Sequence, residues 1–123
     1  PRGYWFDSEA VDREPYMAPG LVTAEKAARG KLPTDVWWHT IVPTNGAEKT
    51  GYPTQKPEGI VRRMVTASTR PGDACLDFFA GSGTLGAVAA KLGRRYTLID
   101  SSDEALRVMR ERLAGIEPEV SAA

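Results

Sequence analysis

Apolar positions along the chain change their spacing twice, and each change predicts a different kind of structure. Up to about residue 35 they follow no period. Pro15, Pro19, Gly20, Gly30 and Pro33 interrupt a mixture of charges, and only a short helix around Thr23 to Ala28 fits. "DVWWHTIV", Asp35 to Val42, is rich in β-branched and aromatic residues and ends at Pro43, so it predicts a short strand. "PTNGAEKTGYPTQKP", Pro43 to Pro57, is dense in Pro, Gly, Thr and Asn and predicts a loop.

From Pro57 the spacing becomes helical. Ile60, Val61, Met64, Val65 and Ala67 recur on one face, and Pro57 suits a first turn, so a helix to about Thr69 is expected. "RPGD", Arg70 to Asp73, is a turn, and "ACLDF", Ala74 to Phe78, is a short apolar strand. Leu85, Val88, Ala89 and Leu92 then mark a helix that Gly93 ends, and "RYTLI", Arg95 to Ile99, predicts a second buried strand. Ser101 with Glu104 has the spacing of a capping box, and Ala105, Leu106, Met109 and Leu113 give the next helix an apolar stripe. The tail after Gly115 is expected to fray. The pattern as a whole is α/β: residues 1–49 form an irregular N-terminal arm with one short strand, and residues 50–123 form a parallel βαβ core.

Composition narrows the classes without naming one. A chain of 123 residues that is 41% hydrophobic is one globular domain or part of one. No apolar run approaches the ~18 residues of a membrane span, and no leader resembles a signal peptide; a cytoplasmic location is expected. Sixteen basic residues balance sixteen acidic ones, which leaves no global field to draw the chain onto nucleic acid. Cys75 is the only cysteine, lies in a predicted strand and is expected to be a buried, inert thiol. His39 is the only histidine and has no second metal ligand or triad partner nearby, so it receives no chemistry. Tyr4, Trp5 and Phe6 suit packing better than base stacking. Arg62, Arg63, Arg94 and Arg95 fit phosphate contacts and solvated helix ends equally well.

The chemistry concentrates in "LDFFAGSGTLG", Leu76 to Gly86. Gly81, Gly83 and Gly86 have G-x-G-x-x-G spacing between a predicted strand and a predicted helix, and Asp100 ends the next strand, where a ribose-binding acid belongs. A right-handed crossover puts this turn at the carboxyl ends of the strands, where ligands bind. Asp77, just before the glycines, separates the candidate ligands. A carboxylate there repels a dinucleotide pyrophosphate, but attracts the sulfonium and ammonium groups of S-adenosylmethionine. The competing reading of Asp77 is a carboxylate that only caps the turn.

From about Thr50 to Leu113, through "YPTQKPEGIVRRMV" and "RPGDACLDFFAGSGTLGAVAAKLGRRYTLID", the sequence resembles the DNA amino-methyltransferases that methylate adenine N6 or cytosine N4. It is most similar to their permuted (beta-type) class, in which the catalytic half precedes the cofactor half. The resemblance implies a partial Rossmann-like S-adenosylmethionine methyltransferase fold and a part in DNA methylation of the restriction-modification kind. It assigns Thr54, Gln55 and Lys56 to the methionine end of S-adenosylmethionine, with Lys56 facing its carboxylate. Asp77, Phe78, Phe79, Ala80, Gly81, Ser82, Gly83 and Thr84 become the cofactor turn, and Asp100 the ribose acceptor. Family members usually carry Pro where this chain has Phe78, often a second Thr at Leu85 and Glu at Asp100; these departures bear on affinity more than on which cofactor is held.

The family grips its flipped base with an Asp/Asn/Ser-Pro-Pro-aromatic loop, and no such tetrapeptide occurs in the chain. "REPY", Arg13 to Tyr16, lacks the second Pro and the polar residue, so no catalytic residue is assigned. The permuted order puts that loop upstream of Pro1. The chain is therefore expected to be a C-terminal half whose exposed sheet edge is covered by the N-terminal catalytic half or another chain, with DNA as the partner of the complete enzyme. Two rival readings are an inactive S-adenosylmethionine-binding or partner module, and a methyltransferase acting on RNA or a small molecule.

Overall fold

A computed structural model describes residues 3–115; the tail expected to fray after Gly115 lies outside them. A 3-10 turn, Pro19–Leu21, precedes helix α1, Ala24–Arg29. Then follow α2 (Glu58–Ser68), β1 (Ala74–Asp77), α3 (Thr84–Lys91), β2 (Arg95–Leu98) and α4 (Asp103–Arg112). β1 and β2 pair in parallel, with Ala74 opposite Arg95 and Asp77 opposite Leu98. The expected βαβ unit is therefore present, with each strand one residue shorter than its apolar run.

Alternation along the strands decides which face is covered. Cys75 faces α2 and α3 and joins Val61, Val65, Val88 and Ala89 in one cluster, with Leu85, Leu92 and Tyr96 against it. Ala80, Ala105 and Met109 form a second cluster with Tyr52, Leu98 and Leu106, which fixes α4 beside the turn. Burying a side chain such as Val88 contributes about 1.5–3 kcal/mol, so these small clusters carry much of the unit's stability. On the other face Leu76, Thr97 and Ile99 are exposed, although parallel sheets normally bury both faces. The Cys75 thiol is buried, and burial pushes its pKa up, which fits an inert structural thiol.

Helix ends follow local rules with one shift. Thr23 accepts from the Lys26 amide and caps α1. For α4 the cap is Ser102, whose Oγ accepts from the Ala105 amide. The capping box expected from Ser101 and Glu104 does not form; Asp100 takes the Ser102 amide and turns the chain there, which leaves Ser102 as a single N-cap. Gly93, at φ +70°, follows the last turn of α3 and ends it as expected.

The strand predicted over Asp35 to Val42 does not form. Its β propensity finds no ladder partner. The segment instead makes local bonds: Thr34 Oγ1 donates to the Val36 carbonyl and the Trp37 indole N–H donates to the Thr34 carbonyl. The Trp37 ring lies under the Arg63 guanidinium, 4.8 Å from its centroid. Elsewhere the arm holds to α2 by side-chain contacts more than by sheet. Asp12 pairs with Arg62, Glu14 with Arg63, and Arg70 stacks over Trp5 at 3.8 Å. Among the described residues its only bridge joins Glu14 and Lys31.

Gly86 lies where α3 meets β2. A Cβ added there stands 2.6 Å from Leu98 Cδ1 and 3.3 Å from both Leu113 Cδ1 and Tyr96 Cδ2. Gly86→Ala is expected to lower unfolding stability by about 1–3 kcal/mol through overpacking. Urea titration followed by circular dichroism checks this, and an unchanged midpoint removes Gly86 as a packing constraint.

Candidate cofactor site at the glycine turn

The turn after β1 is built by giving four of its peptide donors internal acceptors. Asp77 Oδ1 accepts from the Phe79 amide at 3.0 Å, and Asp100 Oδ2 accepts from the Gly81 amide at 2.8 Å. The Gly83 amide donates to the Ala80 carbonyl at 2.8 Å, and the Ala80 amide reaches across to Ile99 at 3.1 Å. Gly81 and Gly83 adopt φ of +50° and +72°, a left-handed region that costs other residues about 1–2 kcal/mol. Crowding enforces glycine at Gly83 as well, because a Cβ there meets Met109 Cγ at 2.8 Å. The hydroxyls of Ser82 and Thr84 are buried, 3.2 Å apart.

Asp100 is a constructional residue of this turn. Its Oδ1 accepts from the Ser102 amide at 2.9 Å while Oδ2 holds Gly81. The Ser102 amide first, and the Gly81 amide next, hold its carboxyl below the usual range against the opposing effect of burial. One carboxylate thus joins the end of β2, the glycine turn and the start of α4.

The "PTQKP" loop is braced from within. Gln55 Oε1 accepts from the Thr50 amide at 2.9 Å and hydroxyl at 2.8 Å, while its Nε2 donates to the Glu48 carbonyl at 2.6 Å. Glu48 Oε2 in turn accepts from the Glu58 amide at 2.9 Å and caps α2. Thr84 Oγ1 donates to the Lys56 carbonyl at 3.2 Å, which docks the loop on the turn.

Between loop and turn opens a cleft of about 260 Å³. Of the residues singled out in the sequence, Thr54, Lys56, Asp77, Phe79, Ala80, Gly81, Ser82 and Thr84 line it. Four stand elsewhere. Gln55 is spent on bracing its loop, Phe78 points to solvent, Gly83 packs against Met109, and Asp100 bonds the turn's backbone. Tyr52, Val61, Met64 and Leu85 also line the cleft and were missed. Tyr52 had a signal in hindsight: its ring approaches to 3.1 Å of where a Gly81 Cβ would stand, but that contact spans residues far apart in sequence.

Asp77 caps the turn, as its competing reading has it, and also lines the cleft. The four arginines have structural partners: Arg62 and Arg63 on the arm, Arg94 on the carbonyls of Thr69 and Leu92, and Arg95 on the Gly72 carbonyl. His39 is exposed, with its ring against Gly59. Among the described residues no group of acidic, histidine or cysteine side chains is arranged for a metal ion.

A parallel βαβ unit with a glycine turn at the carboxyl ends of its strands, a charged cleft beside it and an acid after β2 defines a Rossmann-like nucleoside-cofactor module. More narrowly, residues 4–111 match the family described as DNA methylase (N6_N4_Mtase), and the chain belongs to that family. It is 48% identical over 86 residues to the type II methyltransferase M2.DpnII of Streptococcus pneumoniae, covering 68% of this chain and 31% of that protein. It is 42% identical over 83 residues to the DNA adenine methyltransferase YhdJ of Escherichia coli K12, covering 68% and 28%. The chain therefore spans about a third of the length of these curated relatives. The crystal structure of the M1.HpyAVI–SAM complex superposes with a TM-score of 0.60 at 28% identity, over 91% of this chain and 45% of that one. The PvuII DNA methyltransferase (cytosine-N4-specific) gives 0.60 at 21% identity, over 73% and 34%, a likeness of fold.

The depressed Asp100 carboxyl has a signed consequence. Its contribution to stability is complete above the ordinary aspartate value of 3.8 and is lost as pH falls through the lower folded-state value. Asp100→Asn places an amide N–H against one backbone donor and is expected to cost about 1–3 kcal/mol at neutral pH. The variant's stability should then fall less steeply than wild type below the ordinary aspartate value. Denaturant unfolding across acid pH checks this; parallel curves for the two proteins remove Asp100 from the turn's support.

Proposed function

We propose that this chain is the S-adenosylmethionine-binding part of a DNA methyltransferase acting on an exocyclic amine, adenine N6 or cytosine N4. The observation that carries the reading is the pair of carboxylates set into the turn. Asp77 holds the Phe79 amide and Asp100 the Gly81 amide. An anionic pyrophosphate approaching the start of α3 would meet both negative charges, so this turn is unsuited to a dinucleotide. A zwitterionic, sulfonium-bearing nucleoside suits it.

Within that reading residues 50–123 are the cofactor region and residues 1–49 an arm packed on α2. Asp77 takes the methionine ammonium, and Lys56, whose Nζ rests on the Thr54 carbonyl at 3.0 Å beside the cleft, takes the carboxylate. Thr54 and the Phe79–Thr84 backbone complete the cradle, and Tyr52 closes it over Gly81. Asp100 holds the turn with one lone pair of each oxygen and offers the remaining ones to the ribose hydroxyls. The cofactor supplies an already reactive methyl donor. What these residues add is orientation: fixing the donor in line with an amine is worth several kcal/mol of barrier.

The base must come from elsewhere. Residues 1–123 hold no Pro-Pro-aromatic loop, and the arm aromatics Trp5 and Trp37 are occupied by Arg70 and Arg63. A catalytic part, in the same polypeptide or another chain, supplies the base pocket and covers the open face of β1 and β2. DNA is then the partner of the assembled enzyme, and the reading puts it in the cytoplasm; no helix among the described residues is long and apolar enough to cross a membrane.

Calorimetric titration should show S-adenosylmethionine or its demethylated product binding more tightly than NAD, and tighter NAD binding rejects the cofactor. Asp77→Ala should weaken the methionine nucleosides by about 10- to 100-fold, the scale of a hydrogen bond to a charged group. In a radiolabelled methyl-transfer assay on mixed-sequence DNA, residues 1–123 alone should give background, with turnover appearing when the catalytic part is supplied. Turnover by the chain alone, abolished by Asp77→Ala, overturns the division of labour and sends the search for base contacts to Arg13–Tyr16.

A further inference from the structure

We infer that Arg112, the last residue of α4, is a positioning residue that holds the glycine turn against the start of α2 and so shapes the cofactor cleft. Its side chain is 7% exposed, although it lies at a helix end. Nη1 donates to Thr84 Oγ1 at 3.0 Å, to the Ser82 carbonyl at 3.2 Å and to Ser82 Oγ at 3.3 Å; Nη2 donates to Glu58 Oε1 at 2.9 Å. Ser82 and Thr84 are cleft-lining residues of the turn, and Glu58 opens α2 two residues after Lys56. One planar guanidinium therefore ties the glycine turn to the start of α2, the helix that follows the "PTQKP" loop.

A buried charge on a helix far from the strands needs a reason of this kind, because desolvating it is costly unless every donor finds a partner. The partners are arranged for a fork. Ser82 and Thr84 are themselves buried, and Thr84 passes the link on by donating to the Lys56 carbonyl. Glu58 is tied a second time by Lys91 of α3. Burial alone would raise the Glu58 carboxyl, but Lys91 and Arg112 together hold it below its usual range, so it faces Arg112 as a carboxylate. A lysine carries the charge without the planar fork and cannot serve all four acceptors in the same geometry.

The inference rests on the cofactor reading, and its test keeps the two separable. In the full chain Arg112→Met is expected to weaken S-adenosylmethionine binding by about tenfold in calorimetry. Arg107→Met, which breaks only an exposed pair with Glu111 on the same helix, should leave affinity within about twofold. A double-mutant cycle with Thr84→Val tests the route: the Arg112 effect should shrink once the hydroxyl is gone, whereas general loosening adds in full. In the ligand-free chain, Arg112→Met should speed hydrogen exchange at the Gly83–Leu85 amides while leaving those of Val61–Val65 unchanged. Arg112→Lys should fall between wild type and Met in both readouts, and it carries the test if the Met variant does not fold. Affinity within about twofold of wild type in folded Arg112→Met, or an additive cycle, overturns the inference. If the wild-type chain binds no S-adenosylmethionine, the cofactor reading fails by itself and exchange at Gly83–Leu85 decides the role of Arg112, unaltered protection refuting it.

Discussion

The constraint on which this structure depends is where the peptide donors between β1 and α3 find their acceptors. Glycine makes the path sterically accessible at Gly81 and Gly83, but accessibility does not choose a conformation. The choice is made by Asp77 holding Phe79 and Asp100 holding Gly81, each across a bond of 2.8–3.0 Å. Because Asp100 also takes the Ser102 amide, the same carboxylate that fixes the turn fixes the direction in which α4 leaves β2. The end of α4 then returns to the turn through Arg112. Turn and helix are thus joined at both ends of α4, an arrangement more rigid than packing of the small Ala80–Ala105–Met109 cluster could give alone.

This accounting also explains how a familiar glycine spacing departs from its commonest use. In a phosphate-binding turn the amides remain free and the helix N-terminus completes an anion site. Here the Phe79, Gly81 and Gly83 amides are bonded within the protein, and two of their acceptors, Asp77 and Asp100, put negative charge beside the turn. Electrostatics and hydrogen-bond inventory point the same way, which matters because each alone is weak: exposed charges are screened by solvent, and single amides can exchange partners. Lys56 on the opposite wall makes the cleft bipolar, the complement of an amino acid's two charges.

What the chain holds together is also what it leaves open. One face of the β1–β2 sheet is packed by helices, and the other carries Leu76 and Ile99 about half exposed. The arm covers α2 and does not reach that face. Its contacts include ion pairs and cation–aromatic stacks with Arg62, Arg63 and Arg70 and a backbone hydrogen bond from the Asp7 amide to the Ala67 carbonyl, individually worth about 1 kcal/mol. An arm held this way adds little to the core, consistent with a cofactor module that spans about a third of its relatives' length.

The sequence by itself determined the βαβ unit, the helix ends at Thr23 and Gly93, and the place of the glycine turn between strand and helix, because those features are encoded in residues close together along the chain. Periodicity, capping and glycine placement act locally, so they survive without knowledge of the rest. Tertiary structure alone decided the remainder. It denied a strand to Asp35–Val42, since a ladder needs a partner that propensity cannot supply. It engaged Gln55 inside its loop and tied Asp100 to the backbone of the turn. It brought in Tyr52, and it placed Arg112 on Ser82, Thr84 and Glu58. Those outcomes are competitions among acceptors and surfaces, from Gln55 and Thr50, 5 residues apart, to Arg112 and Glu58, 54 apart. Such a competition is settled only when the chain has folded, because burial makes an unpaired polar group too costly to keep.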